Sequence, residues 1–219
     1  MSRPVTDIRV PRGPEELDSL FGRIDIYVFD QLLRGRIRPG MRVLDAGCGG
    51  GRNSHYLMRA GYDVHGVDGD PAQVERVRAL ASRIAPRLPP LNFTTSRLED
   101  LSLPSAHFDV ILCSAVLHFA EEPGHFQRMM SALWRCLAPG GLFFARLASS
   151  IGIEDRVEPL GDRRFNLPDG SERFLVDEAY LEETAARLGA QQVDPIKTTV
   201  VQNMRSMTTW VLEKPALAG

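Results

Sequence analysis

The sequence predicts an α/β domain built on a doubly wound, mostly parallel sheet with an antiparallel edge. Three observations carry this prediction. Short apolar stretches of strand type alternate with helical stretches from residue 42 to about residue 149, and such alternation places helices on both faces of a parallel sheet. The turn after the first strand, in "VLDAGCGGGRNSHYL", holds Gly47, Gly49, Gly50 and Gly51 within five positions. Two strand-like stretches near the end, 191–202 and 207–213, are joined only by a short polar turn at Asn203, and so short a connection requires antiparallel pairing.

Each element follows from local chemistry. Residues 1–12 are polar and contain proline, and read as a flexible tail. Pro14 after Gly13 starts a helix, with Glu15 and Glu16 set against its dipole, and Leu17, Leu20, Phe21 and Ile24 form a helical stripe. A second helix reaches Leu33 and stops at Gly35. The first strand covers 42–45, and a helix over 54–60 ends at Gly61. The second strand covers 63–67. Asp70 caps the next helix, with Pro71 at its first position and Gln73 three residues after the cap, and that helix runs to Ile84. "LNFT" is a short third strand. "FDVILCS" (108–114) is an apolar run of buried-strand type. A helix follows over 123–137, Pro139-Gly140-Gly141 turns the chain, and "LFFARLA" is the fifth strand. Residues 163–174 read as a hairpin around Pro168-Asp169-Gly170. Asp177 caps a helix that ends at Gly189.

The totals agree with a single domain over all 219 residues, with helices at 13–36 and an inserted segment at 150–176. The formal net charge is −2 and no basic stretch stands out, so a nucleic-acid partner is not expected. The longest apolar runs fall far short of the ~20 residues of a membrane span, and no signal-type segment opens the chain. Cys48, Cys113 and Cys136 are odd in number and lack metal-like spacing, which fits a reduced cytoplasm and predicts no metal.

Glycine is costly to order, so four in one turn point to a ligand that approaches the backbone. A dinucleotide fingerprint requires G-x-G-x-x-G. Counting from Gly47 and Gly49, the third position is Arg52, which counts against an NAD-dependent oxidoreductase. Instead, the order Asp45-Gly47-Gly49-Gly51 resembles the first motif of the class I S-adenosylmethionine-dependent methyltransferases. Asp68, ending "VHGVD", falls about twenty residues later, where an acid can accept from both ribose hydroxyls. "FDVILCSAVLHF" (108–119) and "LAPGGLFF" (137–144) resemble that family's motifs at strands four and five. "GCGGGRNSHYL" further resembles the tellurite-resistance (TehB-like) and small-molecule branch.

The resemblance implies a Rossmann-like seven-stranded sheet of order 3-2-1-4-5-7-6, last strand antiparallel, with S-adenosyl-L-methionine as cofactor and a small molecule as methyl acceptor. It implies that backbone at Gly47, Cys48 and Gly49 faces the methionine part. Asp45 steadies the loop and, through water, the ammonium. Asp68, with Gly69 beside it, takes the ribose. The Leu98 amide meets the adenine, and the Cys113 carbonyl and Ser114 line the sulfonium side. At Arg97 the chain departs from the family, since many members carry an acid there. An arginine accepts no hydrogen bond from the adenine amino group, which leaves Glu99 or water for that part.

Other candidates carry two readings each. Arg52 or Asn53 binds the methionine carboxylate, or else they cap and solvate the helix start. His118, just past strand four, is a general base for the acceptor or a pocket-shaping residue bonded to backbone. Tyr27 covers the cofactor as part of a lid at 13–36, or packs in the core. The 150–176 segment covers the acceptor pocket or is a solvated hairpin. His65 reads as structural, and His55, His107 and His125 as surface residues. Trp134 and Trp210 read as packing. A non-catalytic domain that binds S-adenosylmethionine stands as the rival to an enzyme.

Overall fold

The computed structural model describes residues 13–216; the stretch read as a flexible tail lies outside them. Two short helices, α1 (Pro14–Phe21) and α2 (Ile26–Leu33), precede β1 (Arg42–Ala46). The chain then alternates through α3 (Ser54–Arg59), β2 (Asp63–Asp68), α4 (Pro71–Ile84), β3 (Phe93–Thr95), β4 (Phe108–Ser114), α5 (Pro123–Cys136) and β5 (Leu137–Ala148). A small separate sheet follows, β6 (Glu158–Gly161), β7 (Arg164–Asn166) and β8 (Glu172–Phe174). The chain continues through α6 (Glu178–Leu188), β9 (Gln191–Gln192), β10 (Lys197–Val201) and β11 (Arg205–Glu213).

The main sheet runs β3-β2-β1-β4-β5-β11-β10, with β9 paired to β11. Strands β1 to β5 are parallel, and β11 is antiparallel to both β5 and β10. This is the expected order, with the last strand inserted between the fifth and the sixth. Strand order reverses between β1 and β4, so a crevice opens above their C-terminal ends.

The central strands are buried at nearly every position, and successive side chains point to opposite faces, which divides the core in two. On one face Leu44, Ile111, Phe143 and Trp210 pack against Phe126, Met130 and Leu133 of α5 and Tyr180 and Leu181 of α6. On the other, Val43, Val110, Leu112 and Phe144 pack against Val28 of α2, Leu57 of α3 and Val74 and Val77 of α4. In α5 the buried positions Phe126, Met129, Met130 and Leu133 follow helical spacing, and each such side chain contributes about 1.5–3 kcal/mol when fully buried.

The caps read from sequence form. The Asp70 carboxylate accepts from Ala72 N at 2.8 Å, and that of Asp177 from Tyr180 N at 2.8 Å. Gly189 closes α6 in the left-handed conformation. Four local expectations change. Ile24 lies beyond the end of α1, because the chain leaves the helix at Gly22, at φ +61°. Pro139-Gly140-Gly141 lies within β5 as an irregularity: Phe108 pairs with Leu137 and Val110 with Leu142, leaving the intervening residues of β5 unmatched. The 191–202 stretch breaks between β9 and β10. The hairpin at 163–174 forms, but β6 extends it to three strands. Trp134 and Trp210 are buried, as expected.

Candidate active site

The glycine loop opens where β1 ends. Gly47 N and Cys48 N both donate to Val67 O, at 2.7 and 2.9 Å, which ties the loop to the end of β2. Gly47 sits at φ +76°, and the Val116 side chain fills the place where a Cβ would stand. The close approach inferred from its glycine is therefore made, in this structure, by a side chain from beyond β4. Gly49, at φ +51°, has open space where its Cβ would be, and its amide donates to Asp68 Oδ2 at 2.9 Å. Cys48 is buried and its thiol is pushed well up by that burial, with the charges of Asp45 and Asp68 adding to the shift. It is no nucleophile at neutral pH.

Asp45 lies beneath the loop, 2% exposed. Ser54 Oγ donates to its Oδ2 at 2.6 Å, so the carboxylate anchors the first turn of α3. Burial raises its pKa to about 6, against the pull of the Ser54 bond and of Arg52. Asp68 is half-buried. Its two oxygens accept from Gly49 N and Asp70 N, both at 2.9 Å, and each keeps a lone pair for a further donor.

A cleft of about 330 Å³ lies beside this loop, lined by Gly47, Asp68, Gly69, Ser96, Arg97, Leu98, Glu99, Ala115, Val116, Phe119, Glu121, His125 and Met129. That volume falls at the lower end of the usual range for small-molecule pockets, about 300–1,000 Å³. Ala115 holds a left-handed conformation, φ +65°, at the cleft wall. Backbone strain of this kind in a non-glycine residue gathers at functional sites.

On the far wall, Glu99 Oε1 is 2.6 Å from Arg97 Nε and 3.2 Å from His125 Nε2. Burial alone would raise the Glu99 carboxyl, but a backbone hydrogen bond, His125 and Arg97 together hold it below the usual range. Contrary to the surface position expected from sequence, His125 is 6% exposed, because it lies in the first turn of α5 and lines the cleft. Its Nδ1 accepts from Glu121 N at 3.2 Å, which leaves Nε2 as the protonated nitrogen of the neutral ring. Nε2 is close to Glu99 but has no hydrogen bond of good geometry.

The opposite edge collects a second set of groups. Ser114 ends β4, and Arg52 Nη2 donates to its Oγ at 3.3 Å. Cys113 is fully buried. Asn53 turns away from the cleft: its Oδ1 accepts from Asp25 N at 3.0 Å. This matches neither of its two readings: Asn53 is buried, makes no side-chain cap bond and ties the start of α2 to the loop. The Asp25 carboxylate, the cap of α2, accepts from Tyr27 N at 2.9 Å and from Arg146 Nη1 at 2.8 Å. The Arg146 guanidinium lies 5.4 Å from the centre of the Tyr27 ring, and Tyr27 OH meets Thr199 Oγ1 at 3.0 Å. Asp25 and Arg146 carry no motif in the sequence. Only their position in the helix cap and at the end of a strand suggests them.

His118 is 7% exposed, in the turn Leu117–Phe119. Its Nδ1 accepts the Ala148 N–H at 3.2 Å, so in the neutral ring Nε2 carries the proton. Burial, with Arg173 second, lowers its pKa to about 4. Arg173 of β8 lies over the Phe119 ring at 5.1 Å, so the small sheet packs against the turn that carries His118. His65 is half-buried, 3.3 Å from Asp63 and edge-on to Phe108, in a structural setting.

The fold is that of a doubly wound cofactor domain, with its cleft at the point where strand order reverses. Comparison with known proteins places it more narrowly. The methyltransferase-domain family model matches residues 44–145. The chain is 30% identical over 185 residues to a probable S-adenosylmethionine-dependent methyltransferase of Mycolicibacterium smegmatis, covering 83% of this chain and 67% of that protein. It is 36% identical over 154 residues to a ubiquinone biosynthesis O-methyltransferase of Caulobacter sp., covering 64% of this chain and 59% of the relative. Several other curated relatives are matched over about half their length or less. Among solved structures, magnesium protoporphyrin IX methyltransferase from Synechocystis PCC 6803 with bound SAH aligns at a TM-score of 0.68 and 20% identity, over 94% of this chain and 89% of that one; at that identity the likeness is one of fold.

The chain belongs to the S-adenosylmethionine-dependent methyltransferases, in their class I fold. S-adenosyl-L-methionine is the cofactor of this family. The residues present fit it: a carboxylate at the end of β2, open space above Gly49, and apolar walls at Leu98, Val116 and Phe119. The match is to the broad family and not to its tellurite-resistance branch in particular.

Proposed function

We propose that the protein transfers the methyl group of S-adenosyl-L-methionine to an oxygen of a small-molecule acceptor. The observation that carries this reading is the cleft at the sheet's switch point, with Asp68 on one wall and the Ser114 edge beside it. The choice of oxygen draws on the ubiquinone O-methyltransferases among the relatives.

The cofactor supplies a methyl group already activated on a sulfonium. The chain therefore has to bind, align and exclude water. In our reading Asp68 takes the ribose hydroxyls, and its existing bonds to Gly49 N and Asp70 N aim it. The Leu98 amide and Glu99 hold the adenine, with Arg97 and His125 fixing the Glu99 carboxylate. Backbone from Gly47 to Gly49 lies along the methionine part, above the buried Asp45. Arg52 exchanges Ser114 for the methionine carboxylate, and the Cys113 carbonyl and Ser114 border the sulfonium. His118 positions the acceptor by donating from Nε2. His118 has no free lone pair to act as a base, since Nδ1 is engaged by Ala148 N, so the acceptor hydroxyl gives up its proton to water as S-adenosylhomocysteine leaves.

The reading is tested with S-adenosylmethionine and a panel of small phenols, carboxylic acids, amines and thiols, using the native protein and Asp68→Ala. Methylation of a hydroxyl compound, with the variant weakened about tenfold or more in cofactor affinity, is the expected result. Cofactor binding without transfer to any acceptor would leave a binding module instead. Transfer only to nitrogen or sulfur would overturn the oxygen assignment.

A further inference from the structure

A closed ring of contacts joins the cofactor loop to the acceptor edge, and one buried carboxylate is its junction. Asn53 follows Arg52 in the loop, and its side chain accepts from Asp25 N. Asp25 Oδ2 accepts from Arg146 Nη1 at 2.8 Å. Arg146 pairs across the sheet with Ser114, and its carbonyl accepts from Ala115 N at 2.7 Å. Arg52, the neighbour of Asn53, donates to Ser114 Oγ, which completes the ring around the end of β4.

Helix α2 begins at this junction. It has eight residues, too few to be stable in water alone. Its ends, Ile26 and Leu33, are 66% and 73% exposed, while Val28 and Gln31 are buried, with Gln31 Nε2 donating to Asp194 at 3.0 Å, so the rest of the helix is held independently and the junction at Asp25 acts on its first turn. The Asp25 side chain is 1% exposed. Lifting the start of α2 would strand the Asp25 and Arg146 charges without each other, which is strongly unfavourable in a partly desolvated setting. The first turn of α2 is thus fastened at one point both to the loop and to β5, and a shared fastening of this kind can couple two sites.

We propose that Asp25 is a positioning residue for methyl transfer: it links the cofactor loop through Asn53 to the acceptor edge through Arg146, so that cofactor binding seats α2. The inference rests on the assignment of loop 47–53 to the cofactor. Ordering that loop fixes Asn53, fixed Asn53 holds the Asp25 amide, and Asp25 then aims Arg146 beside Ser114 where the acceptor arrives. By linkage, cutting the junction weakens cofactor binding although Asp25 does not touch the cofactor.

The test is amide hydrogen exchange of residues 26–33 and 47–53 with and without saturating S-adenosylhomocysteine, together with calorimetry. The variant is Asp25→Ser. Serine caps a helix as well as aspartate but is too short to reach Arg146, so the cap and the bridge are separated. In the native protein both segments are expected to slow. In the variant the loop still slows, α2 does not, and Kd rises about tenfold. A merely structural role would lower stability without changing how α2 responds to ligand. If the native loop slows and α2 does not, or if the variant keeps native Kd and α2 protection, the proposal is overturned. If neither segment slows in the native protein, the cofactor assignment itself fails and takes this inference with it. Should Asp25→Ser not fold, Arg146→Lys keeps the charge but shortens the side chain that brings Nη1 to Asp25 Oδ2, and the same loss of α2 response is expected.

Discussion

Two buried titratable residues of the site push pH dependence in opposite directions. Asp45 ionises in the folded protein only at about pH 6, well above the usual aspartate value. Its stabilising contribution is therefore complete below about pH 4 and lost as pH rises through 6, amounting to about 3 kcal/mol. His118 has its folded pKa lowered to about 4, so its contribution is complete above about pH 6.5 and lost as pH falls toward 4. The two effects overlap between pH 4 and 6.5 and partly cancel, so only single variants expose them. Asp45→Asn should gain stability relative to the native protein as pH rises from 4 to 7, and His118→Phe should gain as pH falls from 7 to 4. Urea denaturation of the ligand-free proteins at pH 4, 5.5 and 7 checks both, and parallel profiles would show that neither group titrates as its burial requires. The same chemistry bears on turnover. With its Nδ1 occupied, His118 should leave no imidazole step in kcat between pH 6 and 8, and His118→Ala should cost less than the roughly 10²–10⁴-fold of a lost general base.

At the scale of elements, the three-stranded insertion is fastened to the main domain by an aromatic cluster on α5 and α6 and by Leu167 and Leu175 packed on Ala148 of β5. Phe174 is fully buried, stacked on Phe126 of α5 at 5.3 Å and tilted against Tyr180 of α6 at 5.8 Å. Arg163 adds a cation over the Tyr180 ring at 4.2 Å and a 2.9 Å bond to Asp177. Phe174→Ala should cost about 3–5 kcal/mol, read by denaturation, because α5 and α6 cannot close the cavity without leaving the sheet. Arg173, one residue earlier, lies over Phe119 at the cleft, so limited proteolysis of the variant should cut first within 154–173. Intact resistance there would mean that other contacts hold the insertion. Helices and strands were legible wherever a cap or an apolar period marks them, as in Asp70, Asp177 and "FDVILCS". The strand β6 was not: "EPLG" is short, polar and exposed, and it is a strand only because β7 lies beside it.

For the molecule as a whole, the family assignment predicts which ligand stabilises the fold. S-adenosylhomocysteine at a hundred times its Kd should add about 2.7 kcal/mol, a rise in Tm of roughly 5–10 °C for a chain of this length. NAD at the same concentration should add nothing, since Arg52 occupies the place of the third glycine. Differential scanning fluorimetry with both ligands checks this, and stabilisation by NAD alone would contradict the reading of the cleft.

The sequence by itself determined the sheet, its alternation with helices, its antiparallel edge and the side on which ligands bind. Each of these follows from local signals: glycines at a strand end, apolar runs of fixed length, caps two or three residues from their partners. The family resemblance carried by its motifs, rather than any local signal, pointed to Asp68, Leu98 and Glu99, which line one cleft, and to Asp45, which lies buried beneath the loop. The tertiary structure alone decided what each side chain faces. It set Val116 against Gly47, turned Asn53 toward Asp25, brought His125 inward to Glu99 and placed Ala148 N on His118. It also joined Asp25 to Arg146 across 121 residues of chain. Such pairings depend on packing between segments distant in sequence, which leave no periodicity to read, and a buried charge has to take whichever partner the fold brings within reach.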